Sequence, residues 1–225
     1  MLKNSSNTCI ATTALEVEPL YFYNKLKEFG IGSFLGIGLQ EESNSFLKSY
    51  DSWTRLDIIT ASFGQGISAT PLQVISAIST IANHGKRMRP YIVSSISDKT
   101  EKITFQPQVI SEPISLEVAD SVAEMMTKVI EDGDINISYI NQLKPYDIAG
   151  KTGTAQIAKK DGTGYEKDKT TTTFVGFAPS KDAKMIMLVR LEEPKNNPFA
   201  ATNVAPLWTN IFINIANDLE IPKNN

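Results

Sequence analysis

A single cysteine and a single histidine in 225 residues narrow the available chemistry at once. Cys9 alone makes no internal disulfide. His84 alone leaves most metal sites short of ligands and a Ser-His-Asp triad short of its base. Any serine chemistry here should therefore pass its proton to a lysine. His84 stands just before Gly85 at the end of a helical pattern, where it reads as a cap for the helix C-terminus. There is no run of about 18 apolar residues, and the opening Met1-Leu2-Lys3-Asn4-Ser5-Ser6-Asn7 lacks the form of a secretory signal, so nothing in the sequence reads as an anchor or export signal. A net charge of −3 without a long basic run gives no electrostatic footprint for nucleic acid. The short Lys86-Arg87-Met88-Arg89 cluster reads as a solvated helix-to-strand connection. What remains is ordinary: 41% hydrophobic and 21% charged residues, enough for one large or two small cores.

The most informative stretch is Asp147-Ile148-Ala149-Gly150-Lys151-Thr152-Gly153-Thr154-Ala155-Gln156. Here a cation, hydroxyls and a glycine alternate in a β-like pattern. Alternation places Lys151 with Gly153, or Thr152 with Thr154, on one face. Gly153 admits the close approach of a ligand or another backbone. The stretch thus suits an anionic acyl substrate. Gly-Lys-Thr also ends a phosphate-binding loop, but that loop needs a glycine five residues upstream of the Gly-Lys pair, and Pro145 stands there. Proline lacks the N–H and the backbone freedom required, so nucleotide binding is set aside.

Along the chain, Pro19 opens a helix with Phe22, Leu26 and Phe29 on one face and Gly30 at its close. Residues 30–66 read as a Gly- and Ser-rich connection. Thr70-Pro71 caps a helix with Val74, Ile75, Ile78, Ile81 and Ala82 at helical spacing. Residues 91–97 and 102–105 suggest two β segments around Asp98-Lys99-Thr100-Glu101. Ser115 begins a third helix with Val118, Val122, Met125 and Val129 on one stripe, the Met125-Met126 pair as core filler, and Gly133 beyond its end. Strands follow at 146–157, 170–178 and 184–192, with the turn-rich Lys159-Lys160-Asp161-Gly162-Thr163-Gly164 between the first two. The run Met185-Ile186-Met187-Leu188-Val189 predicts a strand covered on both faces. Trp208, Ile211, Phe212, Ile215 and Leu219 form an amphipathic C-terminal helix free to pack on that sheet. The expected class is α+β, with a mainly helical part at 1–145 and a sheet part at 146–225.

Several segments, taken in order, resemble the transpeptidase domain of penicillin-binding proteins, most closely the class B, monofunctional kind. They are Lys3-Asn4-Ser5-Ser6-Asn7, Phe29-Gly30-Ile31-Gly32, Ser62-Phe63-Gly64-Gln65-Gly66-Ile67 and Thr70-Pro71-Leu72-Gln73. Gly85-Lys86-Arg87-Met88-Arg89-Pro90-Tyr91-Ile92-Val93, the strand from Gly150 to Gln156, and Phe174-Val175-Gly176-Phe177-Ala178-Pro179 complete the series. The family works by serine acyl transfer through S-x-x-K, S-x-N and K-T-G motifs. The resemblance makes Ser5-Ser6-Asn7 the second motif and Lys151-Thr152-Gly153 the third. It implies a penicillin-binding protein and serine β-lactamase-like fold, in part, acting on peptidoglycan stem peptides that end in D-Ala-D-Ala and on β-lactams, with no cofactor and no metal. Ser5 would relay a proton, Asn7 would hold the substrate amide, Lys151 would supply positive potential, and Thr152, Gly153, Thr154 and Gln156 would line the carboxylate and acyl-binding strand. A lipid-linked glycan polymerase is the implied partner, and the outer face of a bacterial cytoplasmic membrane the implied location, in division or cell-shape maintenance. Where the family commonly shows Gly-(Ile/Leu)-Asp-Leu-Pro-Gly-Glu, this sequence has Gly36-Ile37-Gly38-Leu39-Gln40-Glu41-Glu42.

The S-x-x-K motif should lie before Ser5, and the expectation is that it, together with the anchor, lies outside these residues. Ser45-Phe46-Leu47-Lys48 fits the pattern, but it follows the S-x-N element and stands in a Glu- and Ser-rich connection, so it is not taken as the nucleophile. The isolated chain is then expected to be inactive as a transpeptidase. The alternatives are a non-catalytic scaffold that keeps the cleft, or part of a D,D-carboxypeptidase or β-lactamase. Ser5, Ser6 and Asn7 equally suit the N-cap of a helix over residues 8–15. Thr170 to Thr173 read as β-propensity, and Gly64-Gln65-Gly66 as the shaping of a loop.

Overall fold

A computed structural model of the chain describes residues 1–38, 42–132, 137–195 and 197–224. The expected departure at residues 36–42 falls partly outside them, and Gly133 wholly so. Helices α1 (Asn7–Glu16), α2 (Pro19–Glu28), α3 (Arg55–Ser62) and α4 (Pro71–Ala82) come first. Two small antiparallel pairs follow: β1 (Arg87–Met88) with β4 (Val109–Ser111), and β2 (Ser95–Ser97) with β3 (Lys102–Thr104). Then come α5 (Leu116–Asp132), α6 (Ile137–Leu143), the antiparallel sheet β5 (Ala149–Ala158), β6 (Tyr165–Ala178) and β7 (Met185–Glu192), and α7 (Val204–Ile215). Helices combined with antiparallel sheets make this an α+β fold.

The three-stranded sheet is covered on both faces, and residue parity decides which side chain meets which layer. On β6, Phe174, Gly176 and Ala178 face α7, while Phe177 faces the layer of α4 and α5. On β7, Met185, Met187, Val189 and Leu191 pack toward α7, and Ile186 packs with Ile78, Ile81, Ala123 and Met126 on the opposite side. The apolar run on β7 is therefore covered on both faces, as its composition predicts. Under α7, Trp208 stacks on Phe212 at 5.1 Å and lies 4.9 Å from Phe174. The Trp208 indole N–H donates to the Met187 carbonyl at 2.9 Å, so its one polar atom is satisfied. Burial of each such aromatic is worth about 1.5–3 kcal/mol.

Several local expectations give way to tertiary geometry. The connection read at 30–66 contains a helix, because Thr54 and Asp57 cap each other's backbone and start α3. The stripe on α5 is met only in part: Val129 is buried and Val122 packs on the core, but Val118 and Met125 are 47% and 48% exposed, and Ala119, Ala123, Met126 and Ile130 are buried in their stead. Small alanines let α5 lie close to the sheet, so only Met126 of the methionine pair fills core. Leu219 falls past the end of α7 and is exposed. The β segment expected at 91–97 is paired only at Ser95–Ser97. Arg87 is buried instead of solvated, because its guanidinium donates to the Glu28 carbonyl at the end of α2, where unpaired carbonyls favour a cation. The His84 side chain does not cap its own helix, although the His84 backbone N–H donates to the Ile81 carbonyl at 3.3 Å. Its ring lies between Asp120 of α5 at 3.1 Å and Asp182 of the β6–β7 turn at 3.2 Å.

Candidate functional site

The turn before α1 and the first residues of β5 build one cleft. The turn is closed by the Ser5 N–H donating to the Leu2 carbonyl at 3.2 Å, and Leu2 packs with the α4–α5 layer. Ser6 then caps α1 by accepting from the Cys9 N–H at 3.3 Å. The cap reading of the Ser-Ser-Asn stretch therefore holds at Ser6, while Ser5 faces β5. Ser5 has a left-handed backbone, φ 50°, which costs a non-glycine residue about 1–2 kcal/mol. Strain of this kind persists where surrounding contacts over-determine it, and it clusters at functional sites.

The contact that holds Ser5 comes from β5. Lys151 Nζ donates to Ser5 Oγ at 2.8 Å and to the Thr152 carbonyl at 2.8 Å. Because the ammonium occupies an acceptor site of Ser5, the Ser5 O–H remains free to donate into the cleft. Half-burial removes water from Lys151 and lowers its pKa from the ordinary lysine value.

The cleft has a volume of about 300 Å³ and is bordered by Ser5, Ser6, Asn7, Lys151, Thr152, Gly153 and Thr154. Parity alone offered either Lys151 with Gly153 or Thr152 with Thr154. Both pairs border the cleft, because β5 is an edge strand among the described residues and the cleft runs along that edge. A Cβ at Gly153 would meet only Thr173 Cβ, at 3.9 Å, so the strand lies open to close approach. Thr154 Oγ1 accepts from the Ala200 N–H at 3.2 Å, which ties the segment before α7 to the strand. Gln156 is exposed farther along β5, opposite Thr170, and is not brought into the cleft lining. Thr170 and Thr172 are buried and donate to Pro198 and Asn203, which is a structural role.

Residues that the motif reading did not assign to the site complete the lining: Met1, Leu2 and Ile10 beside the Ser-Ser-Asn turn, and Ser62, Phe63 and Gln65 on the facing wall. A usable signal was present, since Gly64 and Gly66, both at positive φ, turn the chain so that Phe63 and Gln65 reach the cleft. Ser45 and Lys48 lie elsewhere. Ser45 Oγ accepts from the Gly32 N–H at 3.2 Å, and Lys48 pairs with Asp57 at 3.4 Å. Among the described residues no carboxylate lines the cleft. One cation, several hydroxyls and the Asn7 amide thus form a pocket suited to a carboxylate beside a peptide-like carbonyl.

The model of the penicillin binding protein transpeptidase domain matches residues 1–212. The chain is 30% identical to the stage V sporulation protein D of Bacillus subtilis over 230 residues, covering 100% of this chain and 35% of that protein. It is 31% identical to the penicillin-binding protein PbpB of Mycolicibacterium smegmatis over 215 residues, covering 92% of this chain and 33% of the relative. It therefore spans about a third of the length of the curated relatives it matches. Among solved structures, penicillin binding protein 3 of Mycobacterium tuberculosis complexed with aztreonam superposes with a TM-score of 0.88 at 27% identity, covering 100% of this chain and 52% of the other.

Proposed function

The chain belongs to the penicillin-binding protein transpeptidase family, and from that premise we propose that it supplies the substrate-binding half of a D,D-transpeptidase site that cross-links peptidoglycan stem peptides. The observation that carries the reading is the 2.8 Å contact between Lys151 and Ser5, which joins the K-T-G and S-x-N motifs in one cleft. In this reading a serine from an S-x-x-K segment outside the 225 residues attacks the penultimate D-Ala carbonyl of a stem peptide. Its oxygen bonds to the carbonyl carbon, the C–N bond to the terminal D-Ala breaks, and the departing nitrogen takes up a proton. An amine of a neighbouring strand then displaces the serine and completes the cross-link.

The residues of this chain have definable tasks in that reaction. The free O–H of Ser5 points the proton toward the leaving nitrogen, while Lys151 holds Ser5 in place and gives the cleft positive potential. Thr152 and Thr154 hold the terminal carboxylate, or that of a β-lactam, by charge-assisted hydrogen bonds. Asn7 orients the substrate amide, and the Thr154 N–H supplies one donor for the oxyanion, a contact whose loss typically costs about 100- to 1,000-fold in rate. Among the described residues no helix is long and apolar enough to cross a membrane; a location at the outer face of the cytoplasmic membrane, beside a lipid-linked glycan polymerase, is part of the proposal. The test is penicillin acylation of the chain joined to its S-x-x-K segment. Asn7→Ala should slow acylation while the melting temperature holds, and an Asn7→Ala protein that acylates at the parental rate removes Asn7 from the site.

A further inference from the structure

A second concave surface, of about 480 Å³, lies beyond the cleft along the same two helices. α1 lends Ile10 to the cleft and Leu15 to this groove; α3 lends Ser62 to the cleft and Ile58 and Arg55 to the groove. Four or five residues of helix separate the two sites on each side, roughly 6–8 Å of helix rise. The groove is lined by Leu15, Pro19, Tyr50 and Trp53 together with the exposed polar residues Asp51 and Arg55.

The aromatic rings are held as fixed platforms. Tyr23 packs edge-on against Trp53 at 5.2 Å and lies 5.5 Å from Tyr50, and the Trp53 indole N–H donates to the Lys48 carbonyl at 3.0 Å. Both aromatics remain half-buried, with part of their surface toward the groove. Neither Asp51 nor Arg55 has a side-chain hydrogen bond or ion pair among the described residues, so an acceptor and a donor fork stand free beside the rings. Their charges are opposite, which disfavours an ionic ligand of either sign and suits a neutral, polar one. A pyranose ring answers that description. Its C–H face lies on an aromatic platform, its hydroxyls donate to a carboxylate, and an N-acetyl carbonyl accepts from a guanidinium.

We infer that the Tyr50–Trp53 groove is a saccharide subsite that takes an N-acetylhexosamine unit of the glycan strand carrying the stem peptide. The inference rests on the proposed peptidoglycan substrate: a stem peptide in the cleft brings its glycan along the α1–α3 wall, and the groove holds it. The result is an anchor that positions the reacting peptide without touching the reacting atoms.

Trp53 is itself the reporter. The chain has two tryptophans, and Trp208 is 0% exposed, so a ligand in the groove changes the emission of Trp53 alone. Titration of the chain with N,N′,N″-triacetylchitotriose should give a saturable fluorescence change. Arg55→Ala and Tyr50→Ala should each weaken it about tenfold, and maltotriose, which lacks N-acetyl groups, should bind about tenfold more weakly than the chitotriose. Arg55 is exposed, so its variant keeps the fold, and a melting curve checks both variants. No saturable change, variants that titrate like the parent, or an equal response to maltotriose would each overturn the assignment. The titration needs no acylation, so it can fail while the acyl-transfer reading stands, and the reverse holds equally.

Discussion

Lys151 Nζ lies 2.8 Å from Ser5 Oγ across 146 residues of sequence. The contact joins the edge strand of the sheet to the turn ahead of α1, and it makes two short motifs, each weak alone, into one cleft. It also divides the labour between two adjacent serines, since Ser6 is engaged by its own helix and Ser5 by the strand.

That division is testable by substitution. Ser6→Ala removes the cap of α1 and should cost about 1 kcal/mol of stability. Ser5→Gly relieves a left-handed serine and removes the cleft hydroxyl, so its melting temperature should be unchanged or raised while penicillin acylation of the joined protein slows. Thermal melts of both variants check this. A Ser5→Gly protein that melts well below the parent would show Ser5 to be structural.

The 225-residue chain alone should give no covalent adduct with a fluorescent penicillin, because in the proposed reading the residues bordering the cleft relay a proton and hold a carboxylate while none of them is the acylated serine. Intact-protein mass spectrometry reads the result directly. A stoichiometric adduct mapped to Ser45, or to any other serine of the chain, contradicts the account.

Most of the β-sheet region was legible in the sequence, because β5, β6 and β7 carry strong alternation or apolar runs and a turn-rich break at 159–164. The helical half was less so. α3 is eight residues with little amphipathic pattern, and its signal, the Thr54-x-x-Asp57 capping box, is local and easily passed over. On α5 the branched and long apolar residues suggested a stripe at Val118 and Met125, but close packing chose Ala119 and Ala123, which periodicity of large side chains does not weight. The burial of Arg87 depends on a helix end 59 residues away, and the ring of His84 is set by a turn 98 residues away, which no local pattern reports. For the site, the motif residues on the near wall were readable. Phe63 and Gln65 on the far wall needed the turn geometry of Gly64 and Gly66.

Gly176 is a core position where a methyl group has no room. A Cβ there would stand 2.9 Å from Trp208 Cζ2 and 3.1 Å from Phe174 Cε1, and the Trp208 indole is pinned to the Met187 carbonyl. Gly176→Ala should cost about 1–3 kcal/mol by overpacking, lowering the melting temperature by roughly 2–12 °C for a chain of this size. An unchanged melting temperature would show that the α7 layer yields.

His84 gives the fold a mild pH dependence. Hydrogen bonds to Asp120 and then Asp182 raise its pKa above the ordinary 6.5. A raised folded value means that the stabilisation is fully present below about pH 6.5 and is lost as pH rises through the higher folded value. The pair is partly exposed and worth at most about 1 kcal/mol. The melting-temperature advantage of the parent over His84→Gln should therefore be a few degrees near pH 6 and shrink toward pH 9. A difference that stays constant, or grows with alkalinity, contradicts the bridging role.

The most direct measurement is the second-order rate at which one β-lactam acylates the chain joined to its S-x-x-K segment, compared with Lys151→Ala in the same protein, alongside thermal melts. Charge-assisted contacts of the kind Lys151 makes are worth about 1.5–3 kcal/mol. The account predicts acylation slowed about 10- to 150-fold at an unchanged melting temperature. Acylation of Lys151→Ala at the parental rate would show that the Lys151–Ser5 cleft is not the site of acyl transfer.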